Sequence, residues 1–129
     1  ASHSAAEANT PDAICCALRR VAAPLEPAAT VACTSSGFTA LRASRERPQA
    51  PIIALTPQLA TARRLALVWG VHPEPFEEIH DVGEMVEHAS AAAVRHGFAR
   101  PGERIVVVAG LPFGRSGSTN LLHVQQIPG

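Results

Sequence analysis

The sequence predicts a three-layer α/β domain with a mostly parallel sheet, and three observations carry that prediction. Ile105 to Val108 are β-branched without a polar interruption, the composition of a strand covered on both faces. Two shorter apolar runs, Ala29 to Cys33 and Pro51 to Leu55, each break into a polar turn that opens a helical stretch. The segments between the runs carry apolar residues at helical spacing, so strands alternate with helices of about ten to fifteen residues.

Residues 1 to 10 are small and polar with no periodicity and are expected to form a flexible lead-in, with the domain proper over residues 11 to 129. Thr10 and Pro11 suit an N-cap and a first helical position, and Ile14, Ala17, Leu18 and Val21 then share one face; Pro24 is expected to end this helix. Ala29 to Cys33 is a strand, followed by the polar loop Thr34 to Thr39 and a short helix over Ala40 to Glu46, for which Ser35 or Ser36 is the natural cap. Pro51 to Leu55 is a second strand. Thr56 and Pro57 are expected to cap and start a helix running to about Trp69, with Gly70 at its C′ position. Leu59, Ala62, Ala66 and Trp69 would share its apolar face, which makes Trp69 a core residue, while Arg63 and Arg64 lie off that face in solvent. His72 to Glu77 reads as a third strand that Pro73 and Pro75 confine to a sheet edge. Asp81 and Glu84 form a capping-box-like pair ahead of Val82, Met85, Val86, Ala89 and Ala93, a helix closed by Gly97. Pro101 and Gly102 make a turn into the Ile105 strand, and Leu121 to Ile127 closes the chain as an edge strand of mixed polarity.

The chain has 129 residues, enough for one domain with one core, and its formal net charge is zero. A neutral, nearly half-apolar composition excludes a disordered tail and gives no basic footprint for nucleic acid. No run of about 18 apolar residues is present, so neither a membrane span nor a membrane partner is expected. The start at Ala1 without Met suggests an excised piece. Cys15, Cys16 and Cys33 are an odd, small set, expected as reduced thiols of a cytoplasmic protein. All eleven basic residues are arginine. A chain without lysine lacks the Walker-type P-loop residue, the amine of Schiff-base chemistry and the usual lysine of a phosphoryl-transfer site.

The candidate binding residues lie in two loops. Thr34, Ser35, Ser36, Gly37, Phe38 and Thr39 lead into a helix, whose first turn presents unpaired N–H groups and the positive end of its dipole. Gly110 begins a second loop in which Gly114 and Gly117 free the backbone, Ser116, Ser118 and Thr119 add hydroxyls, and Arg115 adds charge. Both compositions suit a phosphate, and both also suit plain turns. If the two preceding strands are neighbours at the sheet's switch point, the loops meet in one crevice.

Other chemistries fit less well. Ser36 sits where a hydrolase nucleophile would, but Thr34 stands where that elbow needs Gly. Cys33 has apolar neighbours and reads as an inert thiol. His72, His80, His88 and His96 recur every eight residues. On one helix His88 and His96 are about 12 Å apart along the axis, too far to share an ion, so no metal site is expected. Glu74, Glu77 and Glu78 read as a solvated acidic rim.

From about Pro11 to Ile127 the chain resembles the C-terminal domain of pyruvate kinase. The resemblance is carried by PIIALTPQLATARRLALVWGVHP, Pro51 to Pro73, and GERIVVVAGLPFGRSGSTNLLHV, Gly102 to Val124, with CTSSGFTAL, Cys33 to Leu41, at the family's phosphate-gripping loop. It implies a five-stranded sheet of order 3-2-1-4-5 with the last strand antiparallel. It also implies a phosphorylated allosteric effector, a sugar phosphate or nucleotide, and a homo-oligomer formed partly through the last strand. Catalysis in the family, the transfer of phosphate from phosphoenolpyruvate to ADP in glycolysis, belongs to a barrel domain with Mg²⁺ and K⁺. That barrel is not expected within these 129 residues, and no catalytic residue, metal or cofactor is expected in this chain. Members responsive to fructose bisphosphate carry Arg or Lys where this chain has Phe38, and an arginine near Met85. The departure favours a hexose or pentose monophosphate, or no effector. A free-standing assembly module of the same fold is the alternative.

Overall fold

The computed structural model describes residues 14, 17–18, 20, 24–34, 37–45, 49–76, 79–110 and 119–128. Among them the elements run β1 (Ala29–Cys33), α1 (Phe38–Arg45), β2 (Ile52–Thr56), α2 (Leu59–Leu65), β3 (Val71–Pro75), α3 (Val82–Arg95), β4 (Arg104–Gly110) and β5 (Thr119–Gln126). The sheet order is β3-β2-β1-β4-β5. All neighbours are parallel except β4 and β5, which are antiparallel with an irregularity between Ala109 and Gly110.

The strand sequences explain the three layers. Every residue of β1 and β2 is buried, and alternate residues feed opposite cores. Val31, Cys33, Ile53, Leu55, Ile105 and Val107 face one core, where Met85, Ala89, Ala92 and Ala93 of α3 meet them. Ala32, Ile52, Ala54, Val106 and Val108 face the other, which Ala40 and Ala43 of α1, Leu65 of α2 and Leu18 complete. The small alanines let the helices lie close to strands already filled with β-branched side chains. Thr30 is fully buried in β1, and its hydroxyl has no hydrogen-bond partner among the described residues.

Helix α3 is bounded as its sequence predicts. Asp81 Oδ1 accepts the Glu84 N–H at 2.8 Å. At the other end Gly97 has φ of 76°, and the N–H groups of Gly97 and Phe98 donate to Val94 and Ala93 at 3.0 Å each. That is the two-bond left-handed cap, and glycine supplies its φ at no steric cost.

Several expectations need correction. Helix α2 is shorter than its periodicity suggests: it begins at Leu59 with Gln58 as N-cap and ends at Leu65. Thr56 is the last residue of β2, and its hydroxyl accepts the Gln58 N–H. The helix stops early because the chain must reverse into β3, a reversal fixed by the Ile52 N–H on the Gly70 carbonyl at 3.0 Å. Gly70, with φ of 80°, therefore serves that turn and not the helix end. Once the helix stops, residue 69 no longer shares a face with Ala62, and Trp69 is 95% exposed instead of buried. The buried residues of α2 are Thr61, Ala62 and Leu65.

Pro24 and Leu25 are themselves helical, a conformation that proline's fixed φ allows, while residues 21–23, across which the N-terminal helix was expected to run to its end, lie outside the described residues. Glu74 on the edge strand is only 20% exposed at its side chain and pairs with Arg95 and with His96, whose Nε2 lies 3.0 Å away. It ties β3 to the end of α3 and is not part of a solvated rim. Glu77 and Glu78 lie outside the described residues, as do Cys15 and Cys16.

Candidate functional site

Strands β1 and β4 are parallel neighbours, with Cys33 opposite Ala109. The segments that follow therefore leave the sheet side by side, at the point where the strand order reverses. Ser35, Ser36, Gly114, Arg115, Ser116, Gly117 and Ser118 lie outside the described residues. Of the other candidates, Phe38 and Thr39 belong to α1 and Thr119 begins β5. Only Thr34 and Gly37 are described loop residues.

These two build the floor of the first loop. The Thr34 N–H donates to the Leu55 carbonyl at 2.9 Å, continuing the sheet bonding one residue past β1. Its hydroxyl oxygen accepts the Gly37 N–H at 2.9 Å across a buried three-residue turn. Thr34 thus anchors the loop, a role its position next to two serines concealed. The Gly37 carbonyl accepts the Leu41 N–H at 3.0 Å, which makes Gly37 the residue from which α1 starts. The helix accordingly begins two residues earlier than composition indicates. No acidic residue lies in its first turn, so its positive end keeps its field, while Arg42 and Arg45 sit in the last turn, where they suit the negative end.

Gly37 has φ of 93°, a left-handed value that a side chain disfavours. A Cβ there would also lie 3.3 Å from Thr61 Cγ2 and 3.4 Å from Leu65 Cδ2. Helix α2 therefore packs directly beneath the loop, and the close approach requires glycine. Thr61 in turn accepts from Arg64 Nη2 at 3.3 Å. Sequence reasoning left both residues outside the site, Arg64 as a solvated side chain. A buried β-branched polar residue inside a short helix was the available indication of Thr61's supporting role. Met85, by contrast, is fully buried in the α3 core, so no ligand-facing charge can stand at that position without being buried.

Cys33, at the mouth of β1, is buried, and burial pushes its thiol up to about 12. A thiol that stays protonated at neutral pH is no nucleophile. Among the described residues no group of three or more His, Cys, Asp or Glu is placed to hold a metal ion. No helix among them is long and apolar enough to cross a membrane. The described chemistry consists of backbone N–H groups at a helix start, held by Thr34 and Gly37 and braced by α2.

This arrangement defines a class: an open, mostly parallel α/β domain whose strand order reverses between β1 and β4. The family described as pyruvate kinase, alpha/beta domain matches residues 12–125. The chain belongs to that family. It is 44% identical to the pyruvate kinase of Methylorubrum extorquens over 124 residues, covering 96% of this chain and 26% of that protein. It is 45% identical to one from Agrobacterium vitis over 119 residues, 92% of this chain and 25% of the relative. With the pyruvate kinase of Geobacillus stearothermophilus it shares 44% identity over 116 residues, 90% of this chain and 20% of that protein. The chain thus spans about a quarter of the length of the curated relatives it matches.

Proposed function

We propose that this chain is the regulatory domain of a cytoplasmic pyruvate kinase. It binds a phosphorylated effector between the loop that begins at Thr34 and the loop that follows Gly110, and it contributes to subunit association through β5. The observation that carries the reading is the parallel pairing of β1 with β4, which sends both loops out from one edge of the sheet. The unneutralised start of α1 supports an anion there, and Gly114 to Thr119 with Arg115 would complete its hydrogen bonds. Phosphate transfer from phosphoenolpyruvate to ADP, with its Mg²⁺ and K⁺, is assigned to the rest of the parent enzyme in glycolysis, and the isolated chain is expected to be inactive.

The effector class follows from the charges. Phe38 brings none, and Met85 is buried, so Arg115 and backbone donors suit one phosphate better than two. We therefore favour a hexose or pentose monophosphate. A thermal-shift screen of the purified chain against ribose 5-phosphate, glucose 6-phosphate, AMP and fructose bisphosphate tests this. A ligand at 100 times its Kd stabilises the fold by about 2.7 kcal/mol, a shift of several degrees. A monophosphate response that is lost on Ser36→Ala or Ser116→Ala supports the site. Tight binding of fructose bisphosphate with no response to monophosphates refutes the class. If no ligand shifts the melting curve and the chain dimerises with concentration, the second reading holds, an assembly module with an unused crevice; the position of β5 at the sheet edge favours it.

A further inference from the structure

A phosphate monoester carries about two negative charges at neutral pH, so a site that takes it in preference to a singly charged anion needs more than one cation beside it. The two candidate loops hold one arginine between them, Arg115. Arg42 and Arg45 lie in the last turn of α1, away from its start, and Arg95 pairs with Glu74. Arg104 opens β4 at the opposite end of the sheet, with Arg100 just ahead of it. Arg64 differs from these. It belongs to α2, which starts at the carboxyl end of β2, and its side chain runs back along the helix toward that end, where Nη2 donates to Thr61 Oγ1 at 3.3 Å.

Thr61 is also the residue on which the first loop rests. It is 4% exposed, and its Cγ2 is the atom nearest to a methyl at Gly37, at 3.3 Å. One buried side chain therefore meets the loop with its methyl branch and holds the guanidinium with its hydroxyl branch. Arg64 itself is exposed, so it keeps its charge without the cost of desolvation. We propose that Arg64 is a specificity-determining residue of the effector site: its guanidinium, held beside the first loop by Thr61, supplies the second positive charge and selects a doubly charged phosphate monoester over singly charged anions. This rests on the reading of the two loops as an effector crevice. The charge that the first loop lacks in its own sequence then comes from the helix beneath it, and two guanidinium groups match the charge of one phosphate.

The test is isothermal titration of the purified chain with ribose 5-phosphate and glucose 6-phosphate, each beside the sulfate ester of the same sugar, which has a similar shape and a single charge. At neutral pH and low salt the chain is expected to prefer the phosphate. Arg64→Gln should lower the phosphate-to-sulfate affinity ratio about fivefold, the upper end of what an exposed charge delivers, and added salt should shrink the difference. Arg64→Lys keeps the charge and should keep most of the preference. Arg63→Gln, at the neighbouring exposed position, should leave the ratio unchanged. A chain that binds both esters without preference, or an Arg64→Gln variant that loses both equally or neither, overturns this proposal while the effector reading stands. An equal fall in the ratio from Arg63→Gln assigns the effect to the general field of α2 and also overturns it. If neither sugar phosphate binds, the effector reading falls and this proposal falls with it.

Discussion

Replacing Gly37 with alanine tests how the first loop is built, because two separable costs arise there. The φ of 93° places the residue in left-handed space, which costs an L-residue roughly 1–2 kcal/mol. The added methyl would also stand 3.3 Å from Thr61 Cγ2 and 3.4 Å from Leu65 Cδ2, so α2 must yield by a few tenths of an ångström. With an overpacking cost of about 1 kcal/mol, the total is about 2–3 kcal/mol. Unfolding entropy of about 2.1 cal/mol/K per residue converts this to a fall in Tm of roughly 7–11 °C. Gly70→Ala is the internal control: its φ is 80°, but nothing lies within 4 Å of the new methyl, so only the backbone cost applies. Thr61→Ser removes Cγ2 and keeps the hydroxyl that Arg64 uses. In the Gly37→Ala background it should recover about 0.5–1 kcal/mol, which a double-mutant cycle of thermal or urea unfolding will resolve. Equal destabilisation by Gly37→Ala and Gly70→Ala, with no recovery from Thr61→Ser, would refute the claim that α2 braces the loop.

Thr30→Val should raise stability by about 1–2 kcal/mol, seen as a higher urea midpoint at unchanged slope, because it replaces a buried hydroxyl that has no partner among the described residues with a methyl of the same shape. Asp81→Ala removes the side chain that caps α3 and should cost about 1 kcal/mol, while Asp81→Asn should retain most of the stability. The Cys33 thiol, raised to about 12 in the fold, stays protonated while an unfolded thiol already ionises near 9. The folded state therefore holds the extra proton between those values, and stability falls as pH rises through that window. Alkylation of Cys33 at pH 8 should accordingly proceed only through unfolding; a rate independent of denaturant would contradict its burial.

The sheet was legible because its strands carry their environment in their composition. Val106 to Val108, Val31 and Ile53 have no polar alternation, and a strand covered on both sides needs none. The cap of α3 was equally local, three residues from acceptor to donor. Periodicity misled at α2, since Leu59 to Trp69 keeps a helical pattern of apolar residues past the point where the chain must turn back to reach β3. Glu74 was misread because its partners lie 21 and 22 residues further on, a distance over which no spacing rule operates. In the candidate site, the strand before each loop was readable. The division of labour inside the first loop was not, because Thr34 as anchor and Gly37 as close-approach residue depend on α2, which arrives from elsewhere in the chain.

The two borders of the sheet are not equivalent. The Phe76 N–H donates to Thr56 on β2, so by strand alternation the even-numbered amides of β3 point inward and the odd-numbered positions outward. The outward positions are Val71, Pro73 and Pro75: the prolines have no N–H, and that of Val71 is taken by Val68. This border offers no amide donor to an incoming strand, whereas β5 contains no proline. Two domains joined β5 to β5 would thus expose only borders of the capped kind, and the joint sheet would stop at ten strands. The prolines make such an association self-limiting: it closes as a pair and cannot propagate into a fibre.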